Sequence, residues 1–225
     1  MSVSAAVRRI IDSDPSLKEC VSRGIVNYSQ LARHIKPWVD TLVGSESSLQ
    51  AIKMAIARYT PGRDHLGHPR RRILEVIAKS SVELRSGVGL VTSYSRGLQR
   101  VGKDLESLAE KSRLFLLLSG LKTFTIVVDE ELLDPITEKL GEYAIKTYKG
   151  QAALIVVSPE EIISTPGVVA YLTGVLAKEG INLTQIESIH TDTILILEER
   201  QAPKALETLY KAIRLARQQV LGGAE

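Results

Sequence analysis

A chain of 225 residues and 24.7 kDa, 44% hydrophobic and 24% charged, has room for two or three small domains with cores of their own, not for one large enzyme fold. The single cysteine, Cys20, excludes an internal disulfide and a thiolate-rich metal site. No run nears the roughly 20 apolar residues of a membrane span, and "MSVSAAVRRIIDSD" has no signal-peptide core, so the expectation is a cytoplasmic protein without a membrane partner. The net charge of +3 divides unevenly: residues 1–72 carry 12 Lys/Arg against 6 Asp/Glu and the remainder 17 against 20, which suits either an anionic partner such as nucleic acid or a solvated basic face.

The first 60 residues read as helices. Val3, Val7, Ile10 and Ile11 share one face, and Pro15 after Asp14 opens a second helix through Leu17 and Val21 that stops at Gly24. In "NYSQLARHI" Asn27 or Ser29 is the cap, Leu31, Ala32 and Ile35 face inward, and Pro37 kinks or ends the segment. A fourth helix, "SLQAIKMAIARY", sets Leu49, Ile52, Ile56 and Tyr59 against Ser48, Gln50, Lys53 and Ala57. "TPGRDHLGHPRRR", residues 60–72, is the clearest boundary, a linker or a basic wing; His65 and His68 have no carboxylate or thiol cluster beside them, so no metal is expected there.

Beyond it the hydrophobic period changes. "SVELRSGVGLVTS" alternates like a strand with a bulge, "RGLQRVGKDLESLAEK" spaces Leu98, Val101, Leu105 and Leu108 as a helix, "LFLLLSG" and "FTIVVDE" suit paired strands, and "DPITEKLGEY" a short helix. The order then repeats in "AALIVVS", the helix of "STPGVVAYLTGVLAKEGINL", "INLTQIESI", "TILILEE" and "APKALETLYKAIRLARQQ". The expected fold class is therefore α+β, a helical domain (1–60) and basic segment (61–72) followed by two ferredoxin-like βαββα units (73–150 and 151–217) and a tail (218–225). Both faces of "TILILEE" are apolar, so both sides of its sheet need covering, by helices on one side and by a second sheet, the N-terminal domain or another subunit on the other. The missing last strand comes from "AIKTYKG", residues 144–150, or from an extended start of the unit.

Catalytic patterns are absent. There is no GxxxxGK[ST], no GxGxxG after a strand, no HExxH and no GxSxG, and acidic pairs such as Asp129/Glu130 and Glu160/Glu161 sit where helix starts need them; neither enzyme activity nor a cofactor is expected. His190 reads as a solvated turn residue. Residues 164–183 differ: Ser164 or Thr165 caps, Pro166 sets the first turn, and Gly167 leaves the N–H groups of Val168 and Val169 open to a carboxylate, while Gly180 ends the helix ahead of Asn182. Gly174 lets the helix pack closely on the sheet. The plainer alternative is that Pro166 and Gly167 only shape turns and Asn182 ties down a loop.

The Pro-Gly helix opening, the "GIN" entry to the next strand and the apolar hairpin before an "A-L" helix, all within residues 163–213, resemble an ACT domain, the amino-acid-binding regulatory module of metabolic enzymes and some regulators. The resemblance implies an amino acid effector held between paired domains by Thr165, Pro166, Gly167, Val168, Val169 and Asn182, hence a homo-oligomer, with 73–150 as a divergent partner unit. "YSQLARHI" followed by "SLQAIKMAIARY" resembles a helix-turn-helix or winged-helix module, although about nine residues separate the two helices. That likeness implies duplex DNA as a partner, with Gln50, Lys53 and Arg58 for contacts and Arg70, Arg71 and Arg72 for phosphates. The expected function is a non-catalytic, amino-acid-binding transcriptional regulator; the alternative is a regulatory or assembly subunit that docks on an enzyme of amino-acid metabolism without binding DNA.

Overall fold

The computed structural model describes residues 1–59 and 69–222, in two compact units, 1–67 and 68–225. His65 and His68 lie outside the described residues.

The N-terminal unit is built from α1 (Val3–Ser13), α2 (Pro15–Ser22), α3 (Tyr28–Val43) and α4 (Leu49–Ala57). Each start is capped by the side chain before it. Asp14 accepts from the N–H groups of Ser16 and Leu17, Asn27 from those of Ser29 and Gln30, and Ser48 from that of Ala51. Ala6, Val7, Ile11, Leu31, Ile35 and Ile52 anchor the core, each large side chain there contributing about 1.5–3 kcal/mol. Three expectations need correction. Pro37 does not end α3, because it lies on the solvent side, where the carbonyl it leaves unbonded can be hydrated. The α3–α4 turn is therefore residues 44–48, not nine residues. Asp40 holds it, accepting from Lys36 Nζ at 2.6 Å and from the Ser47 N–H at 2.7 Å. Leu49 lies outside the core, 40% exposed.

The second unit opens with α5 (Pro69–Lys79), so Arg70, Arg71 and Arg72 form a helix's first turn, not a linker or wing. Six strands follow: β1 (Ser81–Tyr94), β2 (Leu116–Ser119), β3 (Thr123–Asp129), β4 (Ala144–Val157), β5 (Gln185–Ile189) and β6 (Asp192–Glu198), joined antiparallel in the order β2-β3-β1-β4-β6-β5. Between them run α6 (Leu98–Val101), α7 (Leu105–Lys111), α8 (Leu133–Leu140), α9 (Val168–Lys178) and α10 (Ala202–Leu221). The expected single helix over 96–111 is broken into α6 and α7 by a 3-10 turn from Gly102, yet Leu98, Val101, Leu105 and Leu108 still point to one core. The expected tail is shorter, since α10 runs to Leu221.

β1 and β4 are each 14 residues long, with a glycine in the left-handed region at the seventh position, Gly87 (φ +67°) and Gly150 (φ +61°), where the pairing register shifts. The half of β1 after the bulge joins β2 and β3, while the half before it, Ser81–Arg85, pairs only with β4; β4 divides the same way, its second half joining β6 and β5. Each ferredoxin-like half thus takes its fourth strand from the other. The expected boundary at 150/151 falls inside β4. Helices cover one face, with Val82, Leu154, Leu195 and Leu197 under α5, α9 and α10, and Phe124, Ile126 and Val128 under α6 to α8. On the opposite face Leu90, Val127, Ala153, Ile155, Ile194 and Ile196 are also buried, in a cluster with no helical member. That cluster draws on β1, β2, β3, β4 and β6 and on Leu114, so strands of both halves contribute to one apolar layer.

Candidate functional site

The β4–α9 connection and the β5–β6 hairpin meet at one end of the sheet. A short 3-10 turn, Glu160–Ser164, follows β4. Thr165 then spends its hydroxyl on the Glu161 carbonyl at 2.7 Å, and Ser164 turns to the same carbonyl, so neither caps the helix as expected. Pro166 and Gly167 form a turn, and α9 starts at Val168 with Gly167 at its N-cap (φ +95°). A Cβ on Gly167 would lie 2.9 Å from Ile73 Cδ1 of α5, so two demands select glycine: the backbone angle and the approach to Ile73. The backbone bond that opens the helix runs from the Tyr171 N–H to the Gly167 carbonyl, and Val168, Val169 and Ala170 supply the N–H groups of its first turn.

These groups border an open cleft of about 440 Å³. Ile162, Ile163, Thr165 and Gly167 form its loop side, Val168, Val169 and Ala170 its helix side, and Ser188 and His190 its hairpin side. His190 sits at φ +53° in the tight β5–β6 turn. Nearby, Lys79 Nζ approaches Glu161 Oε1 at 2.8 Å, and that bond holds the Glu161 carboxyl below its usual range. Of the six positions expected to hold an effector, Thr165, Gly167, Val168 and Val169 are brought to the cleft; Pro166 stands in the turn beside it. Asn182 is elsewhere. It follows the far end of α9, whose 11 residues span about 16 Å, after a Schellman stop in which the Ile181 N–H reaches the Leu176 carbonyl and the Gly180 N–H the Ala177 carbonyl. Gly174 does not pack on the sheet: a Cβ there would meet nothing within 4 Å.

Ile162, Ile163, Ala170 and Ser188 were not legible as site residues. Ile162 and Ile163 follow the acidic pair Glu160/Glu161 and carry no motif of their own, and Ser188 becomes informative only through its register opposite Thr193. His190 was read as a solvated turn residue; it is exposed and in the turn, and it also walls the cleft.

In the first half, the loop after β1 holds Gly97 in close contact, where a Cβ would come 2.4 Å from Ser93 Oγ and 2.9 Å from Tyr143 Cβ. At the end of β3 away from that loop, Asp129 is pushed up by burial but held lower by more: it accepts from the Arg113 N–H at 2.8 Å and from the Arg113 guanidinium at 3.0 and 3.2 Å, and its carboxyl stays below the usual value.

The positions expected to meet nucleic acid are divided. Gln50 and Lys53 lie exposed on α4 in the N-terminal unit; Arg58 caps that helix, its Nε donating to the Met54 carbonyl. Arg70, Arg71 and Arg72 belong to the other unit, where Arg71 pairs with Glu75 at 3.1 Å. Trp38, Leu49 and Met54 are also exposed on α3 and α4, Trp38 edge-on to His34.

Residues 146–211 match a family model described as ACT domain. No curated protein matches the chain. Among solved structures it is similar to aspartate kinase from Clostridium acetobutylicum, at 18% identity over 59% of this chain and 34% of that one, with a TM-score of 0.49. The ligand-free regulatory subunit of aspartate kinase from Thermus thermophilus is 19% identical over 58% of this chain and 95% of its own, TM-score 0.47. E. coli aspartokinase III with aspartate and ADP is 16% identical over 60% and 33%, TM-score 0.49. The chain thus spans about a third of the length of the Clostridium and E. coli enzymes.

Proposed function

We propose that this chain, which carries an ACT domain in its C-terminal half, is a non-catalytic regulatory protein that binds an amino acid effector at the start of α9 and passes the signal to duplex DNA through its N-terminal helices. The observation that supports the reading is the coincidence of the matched segment with the open cleft of about 440 Å³ that the first residues of α9 line. Asn182 cannot reach that ligand in the same chain, so the complete site needs Asn182 from a second copy, which makes the working form a homo-oligomer. A thermal-shift screen of the twenty amino acids tests this. A true effector raises the transition with concentration, and Asn182→Ala removes the effect.

The DNA output draws support from the short α3–α4 turn, close to helix-turn-helix proportions, and from Gln50 and Lys53 on the open side of α4. A second reading, docking on a protein partner, is favoured by the exposed Trp38, Leu49 and Met54 on the same two helices. Binding to nonspecific duplex at low salt separates them: Gln50→Ala with Lys53→Ala weakens it if α4 is the reading helix, changing Arg70, Arg71 and Arg72 together flattens its salt dependence, and absence of binding eliminates DNA.

A further inference from the structure

A second cleft, of about 500 Å³, opens where the C-terminal half of α10 passes the junction between α5 and β1. That is room for a small organic ligand. Its charge differs from that of its surroundings. The chain beyond Arg72 carries 17 Lys/Arg against 20 Asp/Glu, yet this cleft gathers Lys211, Arg214 and Arg217 against Glu207 alone. Tyr210, Arg214 and Arg217 are spaced i, i+4, i+7 and so share one stripe of the helix.

The three cations are differently committed. Arg217 is held in place, its Nε donating to the Ala78 carbonyl at 2.8 Å and its Nη2 to the Ser80 carbonyl at 3.2 Å. These bonds satisfy the open end of α5, cover two oxygens that would repel an anion, and do not use Nη1. Lys211 turns to Glu207 at 2.6 Å and neutralises the one carboxylate of the cleft. Arg214 makes no hydrogen bond or ion pair among the described residues. Its neighbours one turn away are Tyr210, Lys211, Arg217 and Gln218, two of them cations and none an acid. Like charges at that spacing destabilise a helix, and an oxyanion between them removes the repulsion. A guanidinium fixed by backbone carbonyls beside a second with uncommitted donors is a fork suited to a tetrahedral oxyanion.

We propose that this cleft binds the phosphoryl group of a small metabolite, with Arg214 and Nη1 of Arg217 on its oxygens, Lys211 at the rim and the half-exposed Tyr210 ring as a wall. It shares no residue with the α9 cleft and stands whether or not that cleft takes an amino acid. The test is isothermal titration of the full chain with inorganic phosphate and with pyrophosphate at constant ionic strength, repeated on Arg214→Gln and Lys204→Gln. Lys204 is a cation of the same helix outside the cleft, paired with Glu179 at 3.2 Å. Expected are saturable binding, tighter for pyrophosphate, a loss of about tenfold or more in Arg214→Gln, and no change in Lys204→Gln. Without ligand, Arg214→Gln should melt no lower than the parent, since its side chain holds nothing in the fold. Equal losses in the two variants overturn the site, because a diffuse field then accounts for the binding, and so does absence of pyrophosphate binding. A short nonspecific duplex is titrated in parallel: duplex binding that weakens in Arg214→Gln while pyrophosphate does not bind makes the cations a nucleic-acid contact and overturns the metabolite site.

Discussion

Gly167 and Gly174 lie seven residues apart on one helix yet predict opposite responses to alanine. At Gly167 the backbone is left-handed, which costs an L-residue about 1–2 kcal/mol. The new Cβ also falls 2.9 Å from Ile73 Cδ1, a side-chain end that can rotate away at small additional cost. Gly167→Ala should therefore destabilise the second unit by about 1–2 kcal/mol and lower its midpoint by about 2–8 °C. Gly167→Asn should cost less, because asparagine tolerates the left-handed region. In the Gly167→Ala background, Ile73→Val removes the crowding methyl and should recover the small steric part only. Gly174 is inside α9 with open space where its Cβ would stand, so Gly174→Ala should stabilise by about 0.5–1 kcal/mol. Urea denaturation followed by far-UV dichroism measures all four. Equal stability of Gly167→Ala and the parent would refute the assigned backbone strain; a concentration-dependent loss in Gly174→Ala would mean that a second chain packs against α9 at that point.

Asp40 titrates below its ordinary value, through its bond to Lys36 first and the Ser47 N–H next. Its stabilising contribution is therefore present above pH about 3.9 and lost as pH falls through the lowered folded value. The stability gap between the parent and Asp40→Asn should accordingly close in acid, as read from denaturation curves between pH 2 and 6. Asp129→Asn should cost about 1–3 kcal/mol, since the amide cannot accept every bond that Arg113 offers, and a smaller loss by chemical denaturation would demote that tie. Pro37→Ala should raise the melting point of the N-terminal unit, by about 1–3 kcal/mol of helix stability; a fall on calorimetry would mean that the ring itself is a contact.

Periodicity made the helical faces and most strands legible, because burial repeats every 3.6 or 2 residues whatever the partner. What it could not convey was partnership. "AIKTYKG" and "AALIVVS" are one strand, and the join is hidden because Gly150 looks like a turn residue when it is a bulge. The loop before α9 was recognisable by its Pro-Gly pair, but the hydroxyls of Ser164 and Thr165 were assigned to capping when a carbonyl three or four residues back was within reach. Ser188 and His190 belong to the cleft only through the β5–β6 register, which joins positions whose sequence carries no mark of it. Asn182 was correctly placed after the helix stop, and only the length of α9 reveals how far that lies from the other end.

The exchange of fourth strands between the two halves has a consequence for truncation and for unfolding. A deletion that spared only residues 146–211 would keep the matched segment yet take Ser81–Arg85 from beside the second half of β4, leaving bare backbone on an apolar strand. Neither half can be removed or melted without breaking the other's sheet, so the pair should unfold as one cooperative unit.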